Sequence, residues 1–470
     1  MKPTASVRQL LEDYIKENGL SLHQFSDISG VNVGTLSGLI NSRKRMSILQ
    51  LDRICMAMGL AEGSLYELYI EEFLMESSPD WRRLRPLLQR CVELNRLDCI
   101  QHIIMTVMDN LAYAPHLFVL AEQWYIAGEN EAAALLYQCV AESEKYQHSE
   151  RLALCRYRLF TIQLGDDREA DLSLAASFEP YVGRLGEGVQ LDALKDLADT
   201  YAANQRWTKV EELAEELGRK AVIQYRPGPC DQQRRELCPE SEQRGTRRPV
   251  LFYILYAYLL RANVCEARGD YEQALNMVSL YTEVGRVQSC SEKEHVILDQ
   301  FKEWGRANAC LYRLMAGQAE VLPEYAEYVA SHDSEKVSAL LKITEAANRH
   351  RFQVDHILER FGPDLKSEGR EHAFGSYHAG IAADQHTRLL AELAAYYLST
   401  ERVELGMNYI IACLEGCAAF YSEAVVIRCV GLFEKYRTWA TPEMKKQYTN
   451  LISEVQRNHE EKRGFAADCV

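Results

Sequence analysis

The sequence predicts an all-α protein in which a compact group of short helices precedes a long array of helix pairs. Across the first 76 residues, apolar side chains recur at helical spacing between capping residues and glycines. Beyond Trp81, small residues recur twelve positions apart around short turns, and few segments alternate as strands do. With 470 residues, the chain is too long for one ordinary core and must divide into domains or stack repeats.

Five short helices are expected in the N-terminal segment. Apolar spacing predicts a first helix over residues 4–18, which Gly19 ends. A fourth helix is expected to begin after the capping residue Ser47 and to end at Gly59, and residues 64–74 form a fifth.

The second and third helices have the pattern of a helix-turn-helix. Ser21 caps the first of the two, Gly30 makes the tight turn, and Asn32 caps a helix over residues 33–40. The side chains expected to fix the angle between them are Phe25, Val31, Leu36 and Leu39.

The outer face of the third helix is the candidate DNA-reading surface. Small residues let the backbone approach base edges in a major groove, and this face carries Asn32, Gly34, Thr35, Ser37 and Gly38. Arg43, Lys44 and Arg45 follow, within expected reach of phosphates. The alternative is a generic helical bundle in which this basic run is a solvated loop.

Residues 5–74 resemble the Cro/repressor-type, or XRE, helix-turn-helix family. The matching residues are Ser29-Gly30-Val31 at the turn, Thr35-Leu36-Ser37 in the recognition helix and the closing Asn41. The resemblance implies base-reading positions at Val33, Gly34 and Gly38. None of these makes a bidentate hydrogen bond, so specificity would also come from Asn32, Thr35 and Ser37 or from DNA shape. Leu22 departs from the family, which often has a phosphate-contacting Gln there.

The remaining chain repeats a packing pattern. The pairs of small residues twelve positions apart are Ala121 and Ala133, Ala198 and Val210, Ala262 and Ala274, Ala307 and Ala319, and Ala394 and Gly406. The pattern resembles degenerate tetratricopeptide repeats, best at Gly269-Asp270-Tyr271 with Ala274-Leu275. The resemblance implies about seven to nine helix pairs stacked in a right-handed superhelix with a concave inner surface. An irregular all-helical domain is the alternative.

A short sequence motif, Arg-Ala-Asn, occurs at residues 261–263 and 306–308, and its last two residues, Ala-Asn, occur again at 347–348. In a tetratricopeptide stack, the Asn beside the packing Ala faces the groove, and its amide matches both hydrogen-bonding needs of a peptide backbone. The predicted oligopeptide site comprises Asn263, Asn308, Asn348, Tyr256, Leu259, Glu266, Phe301 and Trp304. The alternative is that the Asn side chains are surface or structural hydrogen bonders.

Together, the two resemblances indicate the RRNPPA family of peptide-pheromone receptors of Gram-positive bacteria and their phages. Length and repeat array are most similar to the NprR type and the arbitrium receptors. This implies a short signalling oligopeptide as ligand, operator DNA as target and a homodimer binding two half-sites. The expected domains are 1–76 for DNA binding and 77–462 for peptide sensing and dimerisation, with an inserted loop at 226–249 and a tail at 463–470.

Composition excludes other classes. The net charge of −15 is the wrong sign for a protein that coats nucleic acid. The 14 Cys form no C-x-x-C pair, which favours buried thiols in a reducing compartment and no metal site. No apolar run approaches the roughly 20 residues of a membrane span, so the chain is expected in the cytoplasm, without membrane association.

No cofactor motif and no catalytic motif is found, so an enzyme is not expected. Two alternatives to the peptide-responsive regulator stay open. One is a repeat scaffold that regulates a protein partner such as a response regulator or a kinase. The other is a phosphatase acting on aspartyl phosphate.

Overall fold

The computed structural model describes residues 6–41, 46–75, 80–108, 110–165, 167–225, 246–283, 292–367, 376–419 and 422–467. For helix residues 73–75, 363–367, 376–382, 419 and 459–467, it describes the backbone alone. Over these ranges the chain is all-α and contains no strand, as the sequence predicts. Two compact units divide the chain: Met1–Gln163 with Pro180–Leu185, and Leu164–Glu179 with Gly186–Val470.

The first unit contains ten α-helices within the described ranges. They are α1 Val7–Glu17, α2 Leu22–Ser29, α3 Val33–Ile40, α4 Ile48–Ala57, α5 Tyr66–Met75, α6 Trp81–Glu93, α7 Leu97–Val107, α8 Ala114–Ala127, α9 Asn130–Ser143 and α10 Glu150–Gln163. This unit therefore extends beyond residue 76, the expected end of the N-terminal domain.

The predicted starts of α2, α3 and α4 and the predicted turn at Gly30 are confirmed. Ser21 and Ser47 each form a reciprocal capping box with the Gln three residues later, and the Asn32 side chain caps α3. Gly30 has a φ of 66° at the end of α2, a left-handed conformation that a glycine adopts without steric cost. These local signals explain why short helices follow one another so closely here.

The second unit contains thirteen α-helices within the described residues. They are α11 Arg168–Phe178, α12 Glu187–Ala203, α13 Trp207–Gln224, α14 Val250–Arg268, α15 Tyr271–Thr282, α16 Glu292–Met315, α17 Leu322–Ala330, α18 Lys336–His350, α19 Asp355–Ser367, α20 Ser376–Ser399, α21 Val403–Ala419, α22 Glu423–Tyr436 and α23 Pro442–Ala467. The last helix runs into the segment that was expected to be a tail.

The helices of the second unit are arranged in two alternating sets. Sequential neighbours contact each other from α11 to α19 and again from α20 to α22. In addition, the even-numbered helices contact one another in succession, α12 with α14, then α16, α18, α20 and α22. The even-numbered helices therefore form a continuous row, which is the layer that positions the site described below.

Small residues allow close helix contact at the predicted positions. Ala262 and Ala274 are fully buried where α14 meets α15, and Gly269 makes the turn between them with a φ of 77°. At Gly406, an added Cβ would lie 2.6 Å from Leu398 Cγ and 3.1 Å from the Ala394 carbonyl oxygen. The pair of Ala307 and Ala319 departs from the pattern, because Ala319 lies in a 3-10 turn that precedes α17.

One described helix, α14, is long and apolar enough by length and composition to cross a membrane, contrary to the sequence expectation. Its side chains Leu251, Phe252, Tyr253 and Leu255 are buried in the second unit. Core helices of globular proteins meet the same criterion, so composition alone does not make this a membrane span. The preceding inserted loop lies outside the described residues from 226 to 245.

Candidate functional site

The turn between α2 and α3 is held by a small core. Phe25, Leu36 and Leu39 are fully buried and Val31 is nearly so, as the sequence predicts. The Ser26 hydroxyl donates to the Val31 carbonyl oxygen at 2.7 Å across the turn. This core fixes the direction in which α3 presents its other face.

That face has a limited set of accessible groups. Asn32 and Gly34 are exposed, and Val33, Thr35 and Ser37 are half-buried. Asn32 Oδ1 accepts from the Gly34 backbone N–H at 2.9 Å, so this oxygen caps the helix and leaves the amide nitrogen for an external contact.

One predicted contact position differs from expectation. Gly38 is buried together with Leu36 and Leu39, and without a side chain it cannot reach past the residues that cover it. This corrects its assignment as an exposed contact. Asn41 is exposed, and its Nδ2 donates to the Ser37 carbonyl oxygen at 2.8 Å. Arg43, Lys44 and Arg45 lie outside the described residues.

A charged network joins this N-terminal group to α6. Arg90 Nε lies 3.0 Å from Asp52 Oδ2, and Arg90 Nη2 lies 2.9 Å from Glu62 Oε2. The Tyr66 hydroxyl donates to the other Asp52 oxygen at 2.7 Å. Burial and the Asp52 carboxylate raise the pKa of Tyr66 well above its ordinary value, so the hydroxyl keeps its proton. The network therefore ties α4 and α5 to the following helix.

The second unit contains an open cavity of about 830 Å³. Most of its lining comes from one face of the even-numbered helices, from α12 to α22. This volume lies within the range of small-molecule and cofactor pockets, about 300–1,000 Å³. The odd-numbered helices contribute few lining residues, among them Trp207, Tyr271 and Tyr325. The row of helices thus presents a common inner surface.

The three predicted asparagines all line this cavity. Tyr312 donates its hydroxyl to Asn263 Oδ1 at 3.4 Å, and Asn308 Nδ2 donates to the Tyr281 hydroxyl at 3.1 Å. Within the described residues, neither the Asn263 amide nitrogen nor the Asn308 amide oxygen has a hydrogen-bond partner. One donor and one acceptor therefore remain available in the cavity.

Asn348 is more fully used by the protein. Its Nδ2 lies 2.9 Å from the Glu392 carbonyl oxygen and 2.7 Å from Glu392 Oε2. Burial raises the pKa of Glu392 above its ordinary value, although Arg428 and Asn348 act in the opposite direction. The amide nitrogen of Asn348 is therefore a structural hydrogen-bond donor, which is the alternative that the sequence left open for these asparagines.

Charged side chains cross the cavity in pairs. Lys342 Nζ lies 2.9 Å from Glu266 on α14 and 3.3 Å from Glu345, and Arg388 lies 3.2 Å from Glu345. Burial lowers the pKa of Lys342, but the two carboxylates raise it by more, so the pKa lies above its ordinary value. Arg428 pairs with Glu392 at 2.7 Å. The lining is consequently polar and its carboxylates are neutralised.

The other predicted peptide-site residues separate into two groups. Glu266 lines the cavity, whereas Tyr256, Leu259, Phe301 and Trp304 do not. Phe301 is fully buried, and its ring contacts those of Phe252, Tyr281 and Trp304. This corrects its assignment as an apolar pocket wall, because aromatic residues of neighbouring helices enclose it in the core. Tyr256 instead donates its hydroxyl to Asp199 at 2.5 Å.

Sequence reasoning missed the charged part of the lining. The missed residues that matter below are Arg168, Tyr271, Lys342, Glu345, Arg349, Asp384, Arg388, Glu392 and Arg428. A partial signal exists, since Glu345 follows Lys342 by three positions, and Asn348 and Arg349 follow Glu345 by three and four, which places them on one face of a helix. Within the part of the chain that the structure describes, no group of three His, Cys, Asp or Glu side chains could hold a metal ion.

No family model, curated protein or solved structure matches this chain.

Proposed function

We propose that this protein is a peptide-responsive transcriptional regulator. In this proposal, α1 to α5 form a Cro/repressor-type helix-turn-helix that binds operator DNA. The helices of the second unit belong to a right-handed superhelix of degenerate tetratricopeptide repeats, and a short oligopeptide binds in its cavity. The protein acts as a homodimer in the cytoplasm.

The arrangement of α2 and α3 supports the DNA-binding part. Capping at Ser21 and Asn32, the left-handed Gly30 and the buried Phe25 and Leu36 are the features that hold a recognition helix at a fixed angle. Gly34, Thr35 and Ser37 are small, and they are exposed or half-buried on α3, which suits close approach to base edges.

Close packing at small residues supports the repeat part. The contact of Gly406 with Leu398 and Ala394 leaves no room for a larger side chain, as between the paired helices of a tetratricopeptide repeat. The continuous row of even-numbered helices fits an inner layer of such a stack.

One observation carries the peptide part of the proposal. Asn263 and Asn308 line the same cavity, each has one end of its amide fixed by a tyrosine, and the other ends are a donor and an acceptor. An extended peptide backbone offers the complementary acceptor and donor at each residue. Fixing one end of each amide holds the side chain in place before the ligand arrives, which lowers the entropy cost of binding.

The coupling between the two functions follows from linkage. The two helix-turn-helix domains of a dimer bind an operator together when the dimer holds them about 34–36 Å apart, or a multiple of that distance. A peptide that binds one arrangement of the repeats more tightly than another shifts the population between them, and DNA affinity changes by no more than that difference.

Peptide binding is tested with the purified full chain and a synthetic pool of random hexapeptides, using affinity selection and mass spectrometry. We expect the wild type to retain a subset of the pool and the Asn263→Ala/Asn308→Ala variant to retain it at least about tenfold less well. Asn276→Ala, an exposed position on α15 outside the cavity, is the matched control. Equal retention by both variants would remove the cavity assignment.

DNA binding is tested by selecting from random duplexes and measuring affinity at several salt concentrations. Replacing Arg43, Lys44 and Arg45 with Ala should weaken binding across sequences and flatten the salt dependence. The matched control replaces the exposed Arg82, Arg83 and Arg85 of α6 with Ala. If DNA binds but no peptide is retained, the alternative of a repeat scaffold for a protein partner is favoured.

A further inference from the structure

One cation of the cavity differs from the others in its partners. Arg168, Lys342, Arg388 and Arg428 each form an ion pair with a carboxylate that also lines the cavity. Among the described lining residues, Arg349 is the cation without a carboxylate partner.

The partner of Arg349 is a hydroxyl group. Its Nη1 donates to the Tyr271 hydroxyl oxygen at 2.5 Å. The phenol oxygen accepts in this contact, and its own O–H has no acceptor among the described residues. Because Arg349 carries five N–H donors, most of them also remain for a ligand.

The two groups come from different helices and face the same space. Tyr271 is the first residue of α15, whereas Arg349 lies in the last turn of α18. Tyr271 is half-buried and packs against the core that surrounds α18, so its position is fixed. A guanidinium and a phenol hydroxyl therefore converge on one point of the cavity wall, and both have N–H or O–H donors to offer a ligand.

Resting on the proposed peptide binding, we infer that Arg349 and Tyr271 form a carboxylate-binding site that selects peptides with an accessible acidic group. Among the lining residues that the structure describes, the four carboxylates are each paired with a protein cation, so the Arg349 guanidinium gives this part of the lining an excess positive charge. A carboxylate accepts two parallel N–H bonds from Arg and a further O–H bond from Tyr, and such charge-assisted bonds are the strong ones.

A carboxylate of this kind has two sources, the free C-terminus of the peptide or an Asp or Glu side chain. The test uses four synthetic hexapeptide pools, which have a free or an amidated C-terminus and contain or lack Asp and Glu. Retention of each pool by the full chain is measured by affinity selection and mass spectrometry. We expect the wild type to prefer one or both carboxylate sources over the amidated pool without Asp and Glu, by about tenfold or more.

Two variants assign the preference to these residues. Arg349→Gln should reduce the ratio of carboxylate-bearing to carboxylate-free peptide retained to near one. Tyr271→Phe, which removes only the hydroxyl, should reduce this ratio several-fold. Arg306→Gln, an exposed arginine on α16 outside the cavity, should leave it unchanged. Circular dichroism and thermal unfolding establish that the variants are folded.

The outcomes separate this inference from the function on which it rests. If amidation abolishes the preference for carboxylate-bearing pools, the bound carboxylate is the C-terminus of the peptide. If omission of Asp and Glu abolishes it, the bound carboxylate is an acidic side chain, and either result supports the site. Retention without charge preference, or a preference that survives Arg349→Gln, overturns the site while peptide binding stands. Retention of no peptide at all overturns the proposed function and this inference with it.

Discussion

Arg168 and Asp384 are far apart in the sequence, yet Arg168 Nη2 lies 3.3 Å from Asp384 Oδ2 at the wall of the cavity. The first belongs to α11, at the start of the second unit, and the second to α20. This ion pair therefore connects the first helix of the second unit with α20 in the row of even-numbered helices. Glu266 and Lys342 make a similar contact from α14 to α18, beyond the intervening α16.

Breaking the Arg168 pair should loosen the cavity wall without unfolding the protein. The Arg168 side chain is 41% exposed, so the free energy of unfolding should fall by less than about 1 kcal/mol in Asp384→Asn. Hydrogen exchange of α20 should become faster, and high salt should reproduce part of the effect in the wild type. Exchanging the charges in Arg168→Asp/Asp384→Arg should restore slow exchange. Unchanged exchange in Asp384→Asn would show that the pair does not hold the wall.

The link between α4 and α6 should contribute more to stability. Asp52 is 4% exposed, and Arg90→Ala would remove its charged partner while leaving Tyr66 as its remaining donor. An unpaired buried carboxylate is costly, so we expect a loss of about 1–3 kcal/mol in urea unfolding. Arg85→Ala, an exposed arginine of the same helix, should change little. Equal effects of the two substitutions would argue that Arg90 acts only through its exposed contacts.

The sequence was sufficient to predict the capped short helices and the common location of three asparagines. Both predictions depend on local rules. Ser21 and Asn32 cap the helices that follow them, and Asn263 follows directly after the buried packing residue Ala262. Such signals lie within one helix or one turn, so they can be read without knowing how the helices meet.

The rest of the site depends on contacts between helices. Tyr271 and Arg349 meet only because the start of α15 lies against the end of α18, and no spacing along the chain encodes that distance. The prediction that Phe301 lines the cavity was wrong for the same reason. Its position on α16 is compatible with either surface, and Phe252 and Tyr281 from neighbouring helices decide that it is buried.

Gly406 offers a direct test of close helix packing. In Gly406→Val, the Cβ would meet Leu398 Cγ at 2.6 Å and the Ala394 carbonyl oxygen at 3.1 Å, and the backbone oxygen cannot move aside easily. Overpacking of this kind costs about 1–3 kcal/mol, which we expect to see in urea unfolding. Gly431→Ala on α22 is the matched control, because its added Cβ meets nothing within 4 Å. That substitution should stabilise the helix by up to about 1 kcal/mol.

If Gly406→Val were as stable as the wild type, α20 and α21 would have to be further apart than they are here. A destabilised Gly431→Ala would instead indicate that the environment of α22 differs from this description.

The pH dependence of stability should depend on Glu392. Burial raises its pKa in the folded protein, so as pH rises the unfolded chain gives up this proton first, near the ordinary value of about 4.3. The contribution of Glu392 to stability is therefore complete below that pH and is lost as pH rises through the higher folded pKa. Glu392→Gln removes the titration, so the stability difference between wild type and variant should fall steadily from pH 4 upward.

Urea unfolding at closely spaced pH values between about 4 and 7 measures this difference. Burial raises the pKa of Glu392, and the nearby Glu345 carboxylate raises it further. Arg428, Asn348 and Arg388 lower it. Glu415→Gln at an exposed position of α21, which makes the same carboxyl-to-amide change, is the matched control. A parallel curve for Glu392→Gln would mean that the ion pair with Arg428 balances the burial of the carboxyl group, and a stability difference that rises with pH would mean that it outweighs burial.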